Sequence, residues 1–286
     1  TKFTKNIDDL FLDKEISYIV VATPPNNHYE ITKRAIIHKK NVFVEKPITN
    51  SLKEFKYLEN LATKNNVIIF ENLVFLHSEP FIFLKKYISK KEKDVIYIES
   101  QRCNLGKIYY NNDVIDDLFH HDMSILFFLL NRSVSRCYCK LIKPHSNLPN
   151  SIAEIILEFN KNLYFKIHLS WYSPIKIRDF KIHLTNEMLH INDVDPDNKI
   201  KIYKRSITSD VRKINYRLGD MIIPVLKEKM SPLEKSLKTF TNISNKKNSK
   251  KIKKNLKYYN SISKKILKIK QYLRKSSKLD KFIDVN

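Results

Sequence analysis

Short runs of apolar residues alternate with amphipathic segments in the first part of the chain. Ser17–Ala22, Val42–Val44 and Val67–Phe70 are largely apolar on both faces, as expected of strands buried between two helix layers. The segments 27–38 and 51–61 between them carry apolar residues at helical spacing. Because the connections are short, the order strand, helix, strand, helix, strand predicts parallel βαβ units with right-handed crossovers.

The pattern changes after Pro80. A helix to about Ser89 and a strand at Val95–Ser100 precede a strongly apolar helix over Val114–Leu130. Residues 163–171 then alternate apolar and polar side chains, which predicts a one-faced strand of an antiparallel sheet that this helix covers. Further strands are predicted near residues 134–142, 152–159, 177–184, 188–193 and 199–204. The predicted fold class is α/β: the C-terminal part of a doubly wound parallel sheet, followed by an α+β domain with a mainly antiparallel open sheet.

The C-terminal segment predicts a basic amphipathic helix. Apolar residues recur at steps of three and four from Ile252 to Leu273, and Lys246–Lys278 contains many basic residues and no acid. Packing back on the body is the favoured interpretation, and binding to nucleic acid or anionic lipid is the alternative. The predicted organisation is a partial nucleotide-binding domain, a substrate and oligomerisation domain and this tail, at residues 1–77, 78–245 and 246–286.

Composition restricts the class of protein. A chain of 286 residues with 42% hydrophobic residues is long enough for two domains with their own cores. The longest purely apolar run, Ile125–Leu130, is too short to cross a bilayer, so no membrane partner is expected. Cys103, Cys137 and Cys139 form no CxxC pair, which indicates a reducing compartment, by default the cytoplasm, and no metal site.

Charge and glycine content limit the partners. The net charge of +23 would ordinarily suggest nucleic acid, but lysine is frequent along the whole chain, so a nucleic-acid partner is not favoured. The sequence holds only two glycines, Gly106 and Gly219. A glycine-rich phosphate loop is therefore not present in these residues.

The central apolar run ends on Glu45, Lys46 and Pro47. Ligands of open α/β sheets bind beyond the carboxyl ends of the strands. Pro47 has no N–H and disfavours helical geometry at Lys46, so the strand ends there. We expect the lysine amine to reach into the crevice, and a solvated ion pair at a strand tip is the alternative.

Asp117 and His121 are four residues apart in the predicted apolar helix. That spacing places them on one face, and their apolar flanks predict that the pair is partly buried. A carboxylate that orients an imidazole is an arrangement suited to a general base. A surface hydrogen bond is the alternative.

Three segments in this order resemble the glucose-fructose oxidoreductase and inositol dehydrogenase family, Gfo/Idh/MocA: Ala22–Pro25 with His28, Val42–Pro47 and Asp117–His121. The family transfers hydride between a nicotinamide cofactor and a sugar or cyclitol hydroxyl. Its members carry a Rossmann domain followed by a mainly antiparallel sheet domain. The resemblance implies NAD or NADP as cofactor, bordered by Thr23, Pro24, Pro25, His28, Glu45, Lys46 and Asn72.

The resemblance also assigns catalytic roles. It implies that Lys46 is the catalytic lysine, commonly followed by a cis proline, that His121 is the base and that Asp117 orients it. An imidazole with an ordinary pKa of about 6.5 suits removal of a hydroxyl proton near neutrality. A lysine cation suits the alkoxide that develops. Lys46 and His121 are expected to meet across a shared cleft.

Further segments resemble family members that act on nucleotide-linked or amino sugars: Arg102–Gly106, Ser170–Pro174 with Lys176, and Gly219–Asp220. The implied partner is a small sugar or nucleotide sugar. The implied substrate-binding residues are Lys46, Arg102, Asn104, His121, Trp171 and Lys176. A homo-oligomer through the open sheet face is expected from the family.

The family's first strand, its GxGxxG turn and its ribose-binding acid are not in this sequence, which begins at Thr1. We therefore expect a fragment of a longer chain, or a relative that has lost catalysis and acts as an oligomeric binding protein. In either case the strand at Ser17 is expected to expose an unpaired edge.

Overall fold

The structure is a computed structural model that describes residues 3–106, 108, 112–159, 163–210, 213–246 and 249–285. Residues 247 and 248 of the predicted basic tail lie outside the described residues. The chain forms two compact units. The first unit is Thr1–Ser78 with Lys229–Lys268, and the second unit is Glu79–Glu228 with Ile269–Asn286.

Seven α-helices and twelve strands are found among the described residues. The helices are α1 (Ile7–Leu12), α2 (His28–Ile37), α3 (Leu52–Lys64), α4 (Glu79–Ser89), α5 (His120–Leu129), α6 (Pro232–Asn245) and α7 (Lys250–Leu279). The strands are β1 (Tyr18–Val21), β2 (Asn41–Glu45), β3 (Ile69–Asn72), β4 (Val95–Cys103), β5 (Val134–Ile142), β6 (Ile152–Phe159), β7 (Leu163–Ser170), β8 (Ile177–Leu184), β9 (Glu187–Asn192), β10 (Ile200–Asp210), β11 (Lys213–Ile222) and β12 (Ile283–Asp284).

The first unit is built on a parallel sheet in the order β1-β2-β3, as predicted. One face of the sheet packs against α2 and α3, where Ile36 and Leu58 are fully buried. The other face packs against α6, with Phe240 in contact with Phe43 and Phe70. Burial on both faces explains why these strands are apolar throughout. It also explains why α6, which was assigned by sequence to the middle domain, groups with the first unit.

Strand β1 pairs with β2 alone among the described residues, so its other edge is open. Val20 on this strand is 58% exposed. The unpaired edge agrees with the sequence expectation.

Helix α2 ends with a lysine in the left-handed region. Lys39 has φ of 58°, in the position just past a helix end that glycine usually occupies. Asn66 takes the same position after α3 with φ of 53°. Asparagine tolerates this conformation better than lysine does.

The second unit is built on a nine-stranded sheet in the order β11-β10-β9-β8-β4-β7-β6-β5-β12. Within this sheet, only β4 and β7 pair in parallel among the described strands, so the sheet is mainly antiparallel, as predicted. The side chains of β7 alternate as expected, with Phe165 buried and Tyr164 exposed. Strand β11 was not predicted because all of its side chains are exposed and carry no burial signal.

The apolar helix predicted over 114–130 is not a uniform α-helix. It opens with a π-helical turn over Ile115–Phe119 and continues as α5. Asp113 precedes the turn, and its carboxylate accepts hydrogen bonds from the backbone N–H groups of Ile115 and Asp116. π-helical turns within helices are often found at functional sites.

Helix α7 buries an apolar seam, as the spacing of the tail predicts. Ile262, Ile266, Leu267, Ile269 and Leu273 are buried. None of the helices in the described parts of the chain is both long and apolar enough to cross a lipid bilayer.

Candidate active site

The carboxyl ends of the three parallel strands bring the predicted cofactor residues to one edge of the sheet. Thr23, Pro24 and Pro25 follow β1 and are exposed. Lys46 follows β2 and is half-buried, and Asn72 ends β3 and is buried.

The turn after β2 contains a cis peptide bond between Lys46 and Pro47. The Pro47 carbonyl oxygen lies 2.8 Å from Nδ1 of His28. The next residue, Ile48, donates its backbone N–H to Oε1 of Glu71 over 3.0 Å. Contacts from α2 and β3 therefore hold the turn that carries Lys46.

His28 links two loops rather than pointing into solvent. It is 1% exposed, and its Nε2 lies 2.7 Å from the carbonyl oxygen of Thr23. Both partners of the ring nitrogens are backbone carbonyl oxygens. His28 thus ties the Thr23 loop to the Lys46–Pro47 turn through the backbone.

Glu45 and Asn72 are neighbours on paired strands. The Asn72 amide donates to Oε1 of Glu45 over 2.8 Å, and its oxygen accepts from the Ser236 hydroxyl over 2.8 Å. The buried amide is therefore satisfied on both sides and fixes the Glu45 carboxylate next to the turn.

Sequence reasoning missed Glu71, Ser236 and Ser263 as supports of this turn. Glu71 is 4% exposed, and its Oε2 accepts a hydrogen bond from the Ser263 hydroxyl of α7. The signal for Glu71 is an acid that directly follows the apolar run 67–70. The two serines carry no comparable signal in the sequence.

In the second unit, Asp117 lies in the π-helical turn and His121 in the first turn of α5. Both are half-buried. Trp171, just past β7, is fully buried and donates its indole N–H to Oδ2 of Asp117 over 3.2 Å. Trp171 was predicted to bind substrate, and the structure places it where it orients Asp117. A direct hydrogen bond between Asp117 and His121 stays a prediction.

Arg102, another predicted substrate residue, forms a buried ion pair. Its Nε and a terminal nitrogen donate to both carboxylate oxygens of Asp122 over 3.0 and 2.9 Å. Such a two-bond pair fixes geometry well. The pair joins β4 to the first turn of α5, one residue after His121. Burial, together with the charge of Asp122, raises the pKa of the adjacent Cys103 thiol to about 11.

The remaining predicted substrate residues are more accessible. Asn104 is half-buried, and its backbone N–H donates to the Ser170 carbonyl oxygen over 3.0 Å. Lys176 is exposed.

A cluster of charges anchors the π-helical turn to α7. Asp113 pairs with Arg274, and Asp116 pairs with both Lys270 and Arg274. Although burial alone would raise the pKa of Asp116, the two cations hold it below its ordinary value. No local sequence pattern predicts these contacts, because they join segments far apart in the chain.

At the first unit's strand ends the structure places an exposed loop at Thr23–Pro25 and the half-buried Lys46, and His28 bonds to the backbone of both segments. Neither glycine of the chain lies in this unit, so a glycine-rich phosphate cradle is not among its residues. Within the described ranges, no group of three or more His, Cys, Asp or Glu side chains could hold a metal ion.

Comparison with known proteins identifies the first unit. A model of the Gfo/Idh/MocA oxidoreductase family, with an NAD-binding Rossmann fold, matches residues 1–73. The uncharacterized oxidoreductase YhhX of Escherichia coli (strain K12) is 35% identical over 101 residues, which are 34% of this chain and 29% of YhhX. The dTDP-3,4-didehydro-2,6-dideoxy-alpha-D-glucose 3-reductase of Saccharopolyspora spinosa is 35% identical over 63 residues, which are 22% of this chain and 19% of the reductase. The match with each of these relatives therefore spans less than a third of the relative's length.

Solved structures share the fold over nearly the whole chain. An inositol dehydrogenase homolog complexed with NAD+ from Azotobacter vinelandii has a TM-score of 0.78 at 14% identity, covering 97% of this chain and 80% of that one. UDP-N-acetylglucosamine 3-dehydrogenase GnnA from Acidithiobacillus ferrooxidans has a TM-score of 0.73 at 16% identity, covering 96% and 82%. Residues 1–73 therefore match the NAD-binding Rossmann fold of the Gfo/Idh/MocA oxidoreductase family, and the chain as a whole shares the fold of these solved structures.

Proposed function

We propose that this chain transfers hydride between NAD or NADP and a secondary hydroxyl of a sugar, nucleotide sugar or cyclitol. One observation carries the proposal. In the segment that matches the NAD-binding family, a half-buried lysine stands at the carboxyl end of the middle parallel strand, on a turn held by His28 and Glu71.

The proposed roles follow from the chemistry of the side chains. Lys46 stabilises the alkoxide character that develops on the substrate oxygen. His121 removes the hydroxyl proton in the oxidative direction and returns it in the reductive one. Asp117, oriented by the Trp171 indole, holds His121 in position. The nicotinamide cofactor, when bound, accepts or supplies the hydride.

The substrate class rests on the relatives and on accessible groups of this chain. One solved neighbour is an inositol dehydrogenase homolog complexed with NADH and myo-inositol, and another is a UDP-N-acetylglucosamine 3-dehydrogenase. The exposed Lys176 is available to an anionic nucleotide sugar, and the half-buried Asn104 amide to a sugar hydroxyl.

The test begins with cofactor binding and then turns to catalysis. NADH and NADPH are titrated into the protein by nicotinamide fluorescence, and turnover is assayed on cyclitols, free sugars and nucleotide sugars. We expect Lys46→Ala and His121→Ala each to lower turnover by about a hundredfold or more, with unchanged far-UV circular dichroism. Unchanged turnover in both variants contradicts the proposal.

The second candidate is a member of the family that binds without catalysis. Binding of NADH with no turnover on any sugar tested would support this candidate over the enzyme. Three buried free cysteines are consistent with a cytoplasmic location for either one.

We also propose that the protein forms a homo-oligomer through the open face of the large sheet. Ile207, Ile214, Tyr216 and Leu218 lie on one face of the β10–β11 hairpin and are 57–80% exposed. Exposed apolar strips of this kind mark interaction surfaces. Leu218→Lys is expected to lower the oligomeric state measured by sedimentation velocity, whereas Ile175→Lys, at an exposed loop position of the same unit, leaves it unchanged.

A further inference from the structure

Glu71 is a carboxylate buried beside the Lys46 turn. It is 4% exposed, and Oε1 accepts the backbone N–H of Ile48, the second residue after Lys46. Burial of a carboxylate is unfavourable unless hydrogen bonds satisfy its oxygens. The second oxygen therefore needs a donor if the first is to stay on Ile48.

That donor comes from the C-terminal helix of the chain. The Ser263 hydroxyl of α7 donates to Oε2 of Glu71, and Ser263 is 2% exposed. A hydrogen bond from a hydroxyl to a buried carboxylate is charge-assisted and stronger than a neutral one. The bonds form a line from Ser263 through Glu71 to the backbone of Ile48.

We propose that Ser263 is a positioning residue for Lys46 and acts through Glu71. With one carboxylate oxygen held by Ser263, the other stays aimed at the N–H of Ile48 and fixes the turn that presents the lysine amine. Ser263 does not itself touch the reacting groups. The inference rests on the proposed function for the role of Lys46, but the contacts that carry it lie wholly in the first unit.

Helix α7 supplies a matched control. Ser276 is also fully buried, accepts the backbone N–H of Cys139 over 3.0 Å and donates to the Lys281 carbonyl oxygen over 2.6 Å. It has the same chemistry and burial as Ser263, on the same helix, but its partners lie in the second unit. Ser276→Ala therefore measures the general effect of removing a buried serine hydroxyl from α7.

The contact is tested by amide hydrogen exchange on the full chain. We expect Ser263→Ala to speed exchange of the Ile48 amide by about threefold or more, with no change at Val44 in β2. Ser276→Ala should leave Ile48 unchanged. In a protein that already carries Glu71→Gln, adding Ser263→Ala should not change the exchange rate of the Ile48 amide further, because Ser263 acts through Glu71. Equal exchange at Ile48 in Ser263→Ala and the unchanged protein overturns the inference, and so do additive effects of the two substitutions.

The positioning role is tested by kinetics and by lysine chemistry. If the unchanged protein turns over a sugar, Ser263→Ala should lower kcat about fivefold with an unchanged KM for the cofactor, since the lysine acts in the transition state. An unchanged kcat overturns the inference and leaves the proposed function standing. If no sugar is turned over, the test is the rate at which an acylating reagent modifies Lys46, measured by mass spectrometry. This rate should be about threefold higher in Ser263→Ala than in Ser276→Ala. Equal rates in the two variants overturn the positioning role.

Discussion

The indole N–H of Trp171 donates a 3.2 Å hydrogen bond to Oδ2 of Asp117. Trp171 is the single tryptophan of the chain and is fully buried. Because its ring is held by the surrounding core, the bond fixes the half-buried carboxylate of Asp117. Asp117 in turn is the residue expected to orient His121. This donor is the link between the core of the second unit and the proposed base.

Trp171→Phe keeps an aromatic ring at this position and removes the donor. We expect turnover to fall by about tenfold and the free energy of unfolding by about 1–2 kcal/mol, since a half-buried carboxylate loses one partner. Steady-state kinetics and urea unfolding measure the two effects. Tyr172→Phe, which removes an exposed hydroxyl bonded to His145, is the control and should change neither by much.

Removal of one partner of the Arg102–Asp122 pair leaves a buried charge. Asp122→Asn should lower the free energy of unfolding by about 3–5 kcal/mol, measured by urea unfolding. Arg136→Ala breaks a pair whose arginine side chain is 48% exposed and should cost less than about 1 kcal/mol. Equal costs for the two substitutions would show that the buried pair does not hold α5.

Acid should destabilise the first unit through His77. Burial, aided by the charge of Lys235, lowers the pKa of His77 to about 4. The unfolded histidine binds its proton first as pH falls, so the stability contribution is fully present above pH 6.5 and is lost toward pH 4. The loss is about 3 kcal/mol for the whole interval.

The measurement is urea unfolding between pH 4.5 and 7.5. His77→Phe keeps a ring against Tyr259, on which His77 stacks, and cannot take up a proton. It should flatten the pH dependence, whereas His145→Phe, at an exposed position, should not. The same slope in His77→Phe and the unchanged protein would contradict the assignment.

Lys39→Gly should stabilise the protein. The left-handed conformation at φ of 58° is unfavourable for lysine and easy for glycine, so the free energy of unfolding should rise by about 0.5–1 kcal/mol after the entropic cost of glycine. Differential scanning calorimetry would detect the higher Tm. Lys33→Gly, within α2, should instead destabilise by about 1 kcal/mol.

The sequence predicted the features that depend on local pattern. Apolar runs located β1 to β3, and the proline after Lys46 located the end of β2 and the lysine beyond it. The period-two strands predicted the large sheet. The resemblance to the family predicted the cis bond before Pro47, which the structure contains.

The supports of the candidate site were beyond local pattern. Ser263 lies 192 residues from Glu71, and Arg274 lies 161 residues from Asp113, so neither contact has a signature in the neighbouring sequence. Arg102 and Trp171 were predicted from the family resemblance to bind substrate, and only the structure shows that their polar groups bond to Asp122 and Asp117.

The open edge of β1 affects how the protein behaves at high concentration. Among the described residues, the backbone N–H and C=O groups on the side of β1 away from β2 pair with no other strand, so they can template one, and the Val20 side chain offers an apolar surface to it. A strand added at β1 would bind to the first unit, whereas the exposed apolar residues of the β10–β11 hairpin lie in the second unit. Self-association that survives Leu218→Lys but disappears on dilution would therefore report strand addition at this edge, and studies of assembly should be run at several dilutions.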